Sequence, residues 1–315
     1  MRCKVICNPK SGRHISVKKL ENILGKLVME HDISFVDVCH TSGAGDAWQA
    51  AAALSPDNYD FVIGAGGDGT INEIVNGLME GGSGLPLAIL PGGTVNDFAY
   101  YMGLPSEAKD FCLMLRHGTI REVDLGLANG RYFINVAAFG MFTDVGYKTK
   151  NRDKSILGKL AYSMQGMRSA PEQLFSTMQL KAVCGAEILE TEALLCIVAN
   201  SSSVAGVRRL MNKAQVDDGM LDVFLVTKPA WQTFSDTFQS LFNGEEPRMG
   251  MIWQRQINEA TFCIQDNKTV DYDIDGERGG DLPLTIKVIP KALKLFVPDF
   301  EFKQTQKAPG TKNLS

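Results

Sequence analysis

Between residues 4 and 125 the apolar positions follow two patterns in alternation. Short runs at 4–7, 33–38, 61–63, 87–90 and 120–124 are rich in Val, Ile and Leu, as buried strands are. Between them, apolar residues recur at helical spacing over 16–30, 45–54, 70–78, 94–102 and 107–117. In the first helical stretch Val17, Leu20, Ile23, Leu24 and Leu27 share one face and are predicted core. Strand and helix in alternation predict an α/β fold with a doubly wound parallel sheet. Near Asp124-Leu125-Gly126 the pattern changes. Strand-like runs at 132–138, 174–183, 194–199, 221–226, 260–264, 269–274 and 284–289 dominate, with helical stretches only at 156–168 and 230–242. They predict a mainly β second domain, an antiparallel sandwich. The expected division is a first domain over 1–125, to which residues after about 293 return, and a second over 126–292. The polar segment 304–315 reads as a frayed end.

Composition adds boundaries rather than detail. A chain of 315 residues, 44% hydrophobic and 22% charged, can bury two sizeable cores. The net charge of -4 argues against a nucleic-acid partner, and any contact with an anionic membrane must use a local patch. Seven cysteines (Cys3, Cys7, Cys39, Cys112, Cys184, Cys196 and Cys263) are scattered without C-x-x-C spacing, and read as buried thiols of a reducing compartment. No stretch approaches the roughly 18 apolar residues of a spanning helix, and no signal-peptide pattern opens the chain. The expected location is the cytoplasm.

Candidate chemistry concentrates in the turns. Gly64-Ala65-Gly66-Gly67-Asp68-Gly69-Thr70-Ile71-Asn72-Glu73 follows the run at 61–63 and enters a helical stretch. A strand, a glycine turn and a helix start can hold phosphate, because bare backbone approaches closely and unpaired amides face the anion. The turn has no lysine and matches neither a P-loop nor a dinucleotide fingerprint. Its carboxylate, Asp68, would repel phosphates unless a divalent cation lay between them, which points to a magnesium–nucleotide complex. The competing reading is helix stability alone, since Thr70 and Glu73 have capping-box spacing and Asp68-Gly69 is an ordinary turn pair. A second copy, Pro91-Gly92-Gly93-Thr94-Val95-Asn96-Asp97-Phe98, follows the run at 87–90. In an open parallel sheet two such turns lie side by side, where ligands bind. Asp97, three residues after Thr94, is again either a metal-network carboxylate or a capping residue.

The loops after the first two strands, Asn8-Pro9-Lys10-Ser11-Gly12 and Thr41-Ser42-Gly43-Ala44-Gly45, reach the same sheet edge. Thr41 could place a hydroxyl near a nucleotide or cap the next helix. Far along the chain, Val270, Tyr272 and Ile274 alternate with Asp271, Asp273 and Asp275, which places three aspartates on one strand face. For Asp271 and Asp273 the expectation is a solvated acidic face leading into an Asp-Gly hairpin turn.

Five segments in this order carry a family resemblance: Asn8-Pro9-Lys10-Ser11-Gly12, Gly66 through Glu73, Leu90 through Phe98, Asp218-Gly219-Met220-Leu221-Asp222, and Asp275-Gly276-Glu277. Together they resemble the diacylglycerol kinase catalytic family, and within it the soluble bacterial lipid kinases, from residue 4 to about 298. The glycine-aspartate turn alone is shared with NAD kinases; the ordered set is far more specific. The resemblance implies magnesium-ATP near Asn8, Ser11, Gly12, Thr41, Gly66, Gly67, Asp68, Gly69, Thr70, Glu73, Gly92, Gly93, Thr94 and Asn96. It implies Asp275 as general base toward the acceptor hydroxyl, supported by Glu277, with Asp68 and Asp97 in the metal–water network. The active site would then lie in the cleft between the domains. Asp217, Asp218, Met220 and Leu221 resemble a segment that holds a structural magnesium in some members, with an ordinary Asp-Gly turn as the alternative.

The implied activity is transfer of the ATP γ-phosphate to a lipid hydroxyl, diacylglycerol giving phosphatidic acid, by a protein that visits the inner face of the membrane peripherally. A homodimer is left open. The stretch Asn200-Ser201-Ser202-Ser203-Val204-Ala205-Gly206-Val207-Arg208-Arg209 departs from the family's glycine- and proline-containing pattern and leaves the acceptor open. Lys154, Lys159 and Arg168, and Arg208, Arg209 and Lys213, are either membrane-touching patches or solvated faces. The rivals are an NAD kinase and an inactive nucleotide-binding regulator of the same fold.

Overall fold

The computed structural model describes residues 1–11, 17–93, 96–140, 177–204, 214–227 and 252–299. The chain forms two compact units, residues 1–122 with 293–315, and residues 123–292.

In the first unit, β1 (Arg2–Cys7), β2 (Phe35–His40), β3 (Phe61–Gly66) and β4 (Leu87–Pro91) form a parallel sheet in the order β4-β3-β1-β2. The last turn of β15 (Leu284–Val297) extends it, with Leu295 opposite Leu87 in parallel register. The helices are α1 (Val17–Met29), α2 (Asp46–Ala52), α3 (Asp68–Gly81), α4 (Asp97–Tyr101) and α5 (Ala108–His117). Helices joining parallel strands cover the sheet, and so β3 and β4 are buried at every position and read as unbroken apolar runs. β2, the edge, is exposed or half-exposed throughout. Its start at Phe35 rather than at the predicted Ile33 follows from its register, Arg2 opposite Phe35. Among the described residues no helix is long and apolar enough to cross a membrane.

The second unit is antiparallel. It contains β6 (Arg131–Phe133), β7 (Val136–Gly140), β8 (Met178–Cys184), β9 (Glu187–Ala199), β10 (Leu221–Thr227), β11 (Ile252–Ile257), β12 (Glu259–Ile264), β13 (Asp271–Ile274) and β14 (Glu277–Asp281). The pairing order is β14-β13-β7-β9-β8-β12-β15, with β10 between β9 and β11. The chain passes from one unit to the other along β5 (Thr119–Ala128) and β15. Phe133, Phe139, Phe262 and Leu225 centre its core, and the Phe139 and Phe262 rings lie 5.2 Å apart.

Two strands escape the hydrophobic pattern for a physical reason. β11 exposes Gln254, Arg255 and Gln256, and β14 is Glu-Arg-Gly-Gly-Asp, which among the described strands pairs with β13 alone. A Cβ on Gly280 would lie 3.1 Å from the Tyr272 hydroxyl, so an aromatic side chain covers the glycines of that strand. The predicted helices at 156–168 and 230–242, and the basic clusters around Lys159 and Arg208, lie outside the described residues. All seven cysteines are free thiols, and burial pushes those of Cys3, Cys7 and Cys196 up.

Candidate active site

The parallel register sets Gly66 opposite Pro91, so the turns that follow β3 and β4 are neighbours, and the Gly92 amide donates to the Gly66 carbonyl at 2.8 Å. Bare backbone meets bare backbone there. A Cβ on Gly93 would sit 2.9 Å from the Gly67 Cα and 2.7 Å from Asn96 Oδ1, closer than real Cβ contacts come. Asn96 adopts the left-handed region (φ 50°), which Asn tolerates because its amide bonds locally. Its Oδ1 accepts the Gly93 amide at 2.9 Å, its Nδ2 donates to the Gly93 carbonyl at 2.6 Å, and its own N–H donates to Asp68 Oδ2 at 3.1 Å. Asp68 therefore clasps the second turn from the first residue of α3.

The capping-box explanation of Thr70 and Glu73 fails, because α3 begins at Asp68 with Gly67 as its N-cap and no side chain caps it. Thr70 Oγ1 instead lies 3.1 Å from Asn8 Nδ2, and the Glu73 carboxylate accepts the Gly45 and Ala47 amides at 2.8 and 3.2 Å, at the start of α2. Asp97 opens α4 after Asn96, so its N-cap is Asn96 and not Thr94. Asn8 Oδ1 accepts the Lys10 amide, and the Ser11 hydroxyl donates to the Asn8 carbonyl at 3.0 Å. Thr41 is buried, its amide bonded to the Cys7 carbonyl. Beyond it, Asp46 accepts the amides of Ser42 and Gly43, and those amides with the Ser42 hydroxyl hold its carboxyl below the usual range. Gly12 and Thr94 lie outside the described residues. What remains is a strand-end surface of glycine backbone at Gly66, Gly67, Gly69, Gly92 and Gly93, bordered by Asp68 and Asp97. Glycine backbone of two adjoining turns, with a helix start beside it, suits phosphate, and oxygen ligands suit a hard divalent cation. These residues fit a magnesium–nucleotide.

In the second unit β13 ends at Ile274, so Asp275 lies off the strand and does not continue the face of Asp271 and Asp273. The bulge opposite Tyr272 and Asp273 places its extra residue, Gly279, on β14. Asp273, expected to be solvated, is 2% exposed, and its Oδ1 accepts the Gly276 amide at 2.7 Å. Asp271 is only part-buried and pairs with Arg278 at 3.1 Å. Asp275 lies in a left-handed turn (φ 47°) and is 8% exposed. Its carboxylate accepts three consecutive amides, Ile134 at 2.8 Å, Asn135 at 3.0 Å and Val136 at 2.8 Å. Its own amide returns a bond to the Val136 carbonyl at 2.9 Å. Glu277 accepts from Arg131 Nη2 at 2.5 Å.

The predicted metal segment is a turn with Gly219 in the left-handed region (φ 73°). Asp218 Oδ1 accepts the Met220 amide and Oδ2 faces Gln256. Among the described residues no three His, Cys, Asp or Glu side chains converge for a metal, and the predicted set holds two carboxylates, Asp217 and Asp218, beside the main chain of Met220 and Leu221. Burial pushes the carboxyl of Asp222 up to about 6. Asp124, not foreseen as a site residue, is fully buried, with Oδ2 accepting Gly219 N and Oδ1 accepting Lys291 N, both at 2.7 Å. Asn135, Asn200 and Ser201 were also missed. Asn135 is a polar residue interrupting an apolar run, and Asn200 and Ser201 follow directly on the apolar run that ends at Ala199, which is the signal that could have found them.

Residues 2–128 match the diacylglycerol kinase catalytic domain, and residues 136–297 match the YegS C-terminal NAD kinase beta sandwich-like domain. A diacylglycerol kinase of Staphylococcus saprophyticus is 32% identical over 298 residues, 95% of this chain and 96% of its own length. One from Staphylococcus aureus strain JH9 is 32% identical over 301 residues, 95% of this chain and 93% of its own. Among solved structures, a diacylglycerol kinase of Bacillus anthracis strain Sterne superposes with a TM-score of 0.73 at 28% identity, covering 94% of this chain and 96% of that one. Another crystal structure from the same organism gives 0.78 at 26% identity with the same coverage. Fold and matches together define a lipid kinase with a parallel N-terminal and an antiparallel C-terminal sheet. The chain belongs to the diacylglycerol kinase family.

Proposed function

We propose that this lipid kinase phosphorylates diacylglycerol, transferring the γ-phosphate of magnesium-ATP to the free hydroxyl to give phosphatidic acid and ADP. The observation that carries the nucleotide half of the reading is the contact between the two glycine turns, fixed by Asp68 and Asn96. Amides and bare backbone there receive phosphate oxygens, and Asp68 and Asp97 supply carboxylate oxygens for the cation. Magnesium, when bound, neutralises charge on the phosphates. Asp275 takes the hydroxyl proton as the acceptor oxygen attacks the γ-phosphorus and the bond to the β-phosphate oxygen breaks. Glu277, tied to Arg131, supports that carboxylate from the next strand. The acceptor follows from the names of the relatives, and implies a cytoplasmic protein that visits the membrane surface from outside.

The test is magnesium-dependent transfer of labelled γ-phosphate to a panel of lipids in mixed micelles, with NAD as a soluble acceptor, for wild type, Asp275→Ala and Asp68→Ala. Labelled phosphatidic acid that disappears in both folded variants is the expected result. Labelling of another lipid replaces the acceptor, and labelling of NAD alone overturns the reading.

A further inference from the structure

The amides that hold Asp275 are themselves held. Ile134 and Asn135 form a bend between β6 and β7, and three successive N–H groups converge on one carboxylate only if that bend keeps its shape. Its shape is fixed by side chains from the end of β9 and the residues after it. The Ser201 hydroxyl donates to Asn135 Oδ1 at 2.5 Å, and Asn135 Nδ2 donates to the Ser203 carbonyl at 3.0 Å. Asn200 Nδ2 spans the Asp124 carbonyl at 2.8 Å and the Ile134 carbonyl at 3.0 Å, while the Asn200 amide donates to the Asn135 carbonyl at 2.8 Å.

All of this is buried, Asn200 at 1% exposure, Ser201 at 0%, Ser203 at 3% and Asn135 at 6%. Two carbonyl partners fix which end of the Asn200 carboxamide is the donor, so its Oδ1 is the acceptor, and it is buried without a hydrogen-bond partner among the described residues. An unpaired buried acceptor costs stability. A group kept at that cost is kept for its geometry, and local rules are broken at functional sites more than elsewhere.

We infer that Asn135, locked by Ser201 and backed by Asn200, is a positioning residue that presets the amide shelf and so aims the Asp275 carboxylate. The inference rests on Asp275 being the general base. It assigns to the network the rate of the chemical step and not the binding of ATP, whose turns belong to the other unit.

The experiment compares Ser201→Ala, Asn135→Ser and Asp275→Asn in the full-length protein, reading kcat, the KM for ATP, the pH profile of kcat and thermal unfolding. Ser201→Ala removes one hydroxyl with almost no change of shape. We expect it to lower kcat about 10-fold and Asn135→Ser about 100-fold, since small misplacements of a reacting group cost that much. The KM for ATP should stay within about twofold in both, because uniform binding is untouched. The apparent acidic limb of the pH profile should move in Ser201→Ala. If Asn135→Ser does not fold, Ser201→Ala decides. A folded Ser201→Ala with wild-type kcat and pH profile, beside an inactive Asp275→Asn, overturns the positioning role and leaves the general base in place. An active Asp275→Asn removes the base assignment and this inference with it.

Discussion

Asp68 and Asp275 are both carboxylates followed by a glycine, and they are held in opposite ways. Asp68 is half-buried at the first residue of α3, beside the glycine turns, and it accepts an amide from a neighbouring turn. Asp275 is nearly buried, off the end of a strand, and accepts three amides in a row. The difference suits different tasks. A carboxylate that shares a cation with phosphates needs open coordination space beside an anion-accepting surface. One that receives a proton from a particular hydroxyl needs its direction fixed before the hydroxyl arrives.

Replacing each by asparagine is the strongest way to break this comparison, because the change leaves volume alone. In Asp275→Asn one end of the carboxamide turns an N–H group toward amide donors. The expected result is a fall in kcat of about 1,000-fold from loss of the base together with a loss of about 1–3 kcal/mol of stability from the mismatched donors. Steady-state assays and urea unfolding measure the two. Asp68→Asn keeps an acceptor for the Asn96 amide, so its unfolding should stay near wild type. Its activity should fall about 100-fold, of the size seen when one electrostatic partner of a transition state is removed. The magnesium concentration for half-maximal rate should rise. Equal stability losses in both variants would mean that the two carboxylates do the same structural job.

A smaller effect sharpens the description of the nucleotide surface. Gly93→Ala places a methyl where Gly67 Cα and Asn96 Oδ1 already stand at 2.9 and 2.7 Å from its position. Overpacking of this kind costs about 1–3 kcal/mol. The KM for ATP should rise while kcat with saturating ATP falls much less, which kinetics on the folded variant would show. An unchanged KM would move the phosphates away from this pair of turns.

The same contrast governs how much could be read from the sequence. The first turn, its repeat and their adjacency are local signals, since a strand, its turn and its helix are contiguous and parallel order puts β3 beside β4. What Asp68 and Glu73 touch was not local, and so the capping-box alternative for Thr70 and Glu73 could be removed only by the structure. In the second unit Asp275 stood out only through the family resemblance. Its three amides come from positions 139 to 141 residues away, and no periodicity records such a pairing. Asp273 was misjudged as solvated because its carboxylate turns to accept the Gly276 amide, a contact that alternation along the strand does not record. β14 was invisible because its residues bury nothing apolar and, among the described strands, pair with β13 alone.

A third carboxylate supplies the mildest test and a control for the first two. Asp37, on the edge strand β2, is held by side chains, with Lys4 Nζ at 2.7 Å and the Tyr59 hydroxyl at 2.6 Å. The hydrogen bond from Lys4, then that from Tyr59, holds the Asp37 carboxyl below its ordinary value, while Asp37 pushes the Tyr59 phenol up to about 12. A carboxyl whose folded value is depressed adds stability above its unfolded value, near 3.9, and loses it as the pH falls through the folded value. Asp37→Asn should therefore destabilise the protein at pH 7 and converge with wild type at acid pH, below the depressed folded value. With the Asp37 side chain 38% exposed, water screens the pair and the difference at pH 7 should be no more than about 0.5 kcal/mol. Urea unfolding at the two pH values measures it. Since Asp37 is held by a cation on an edge strand and touches neither glycine turn in the first unit, kcat and the KM for ATP should not change. A loss of kcat comparable with that of Asp68→Asn would extend the nucleotide site to β2, and the distinction between carboxylates that hold the fold and carboxylates that do chemistry would have to be redrawn in this unit.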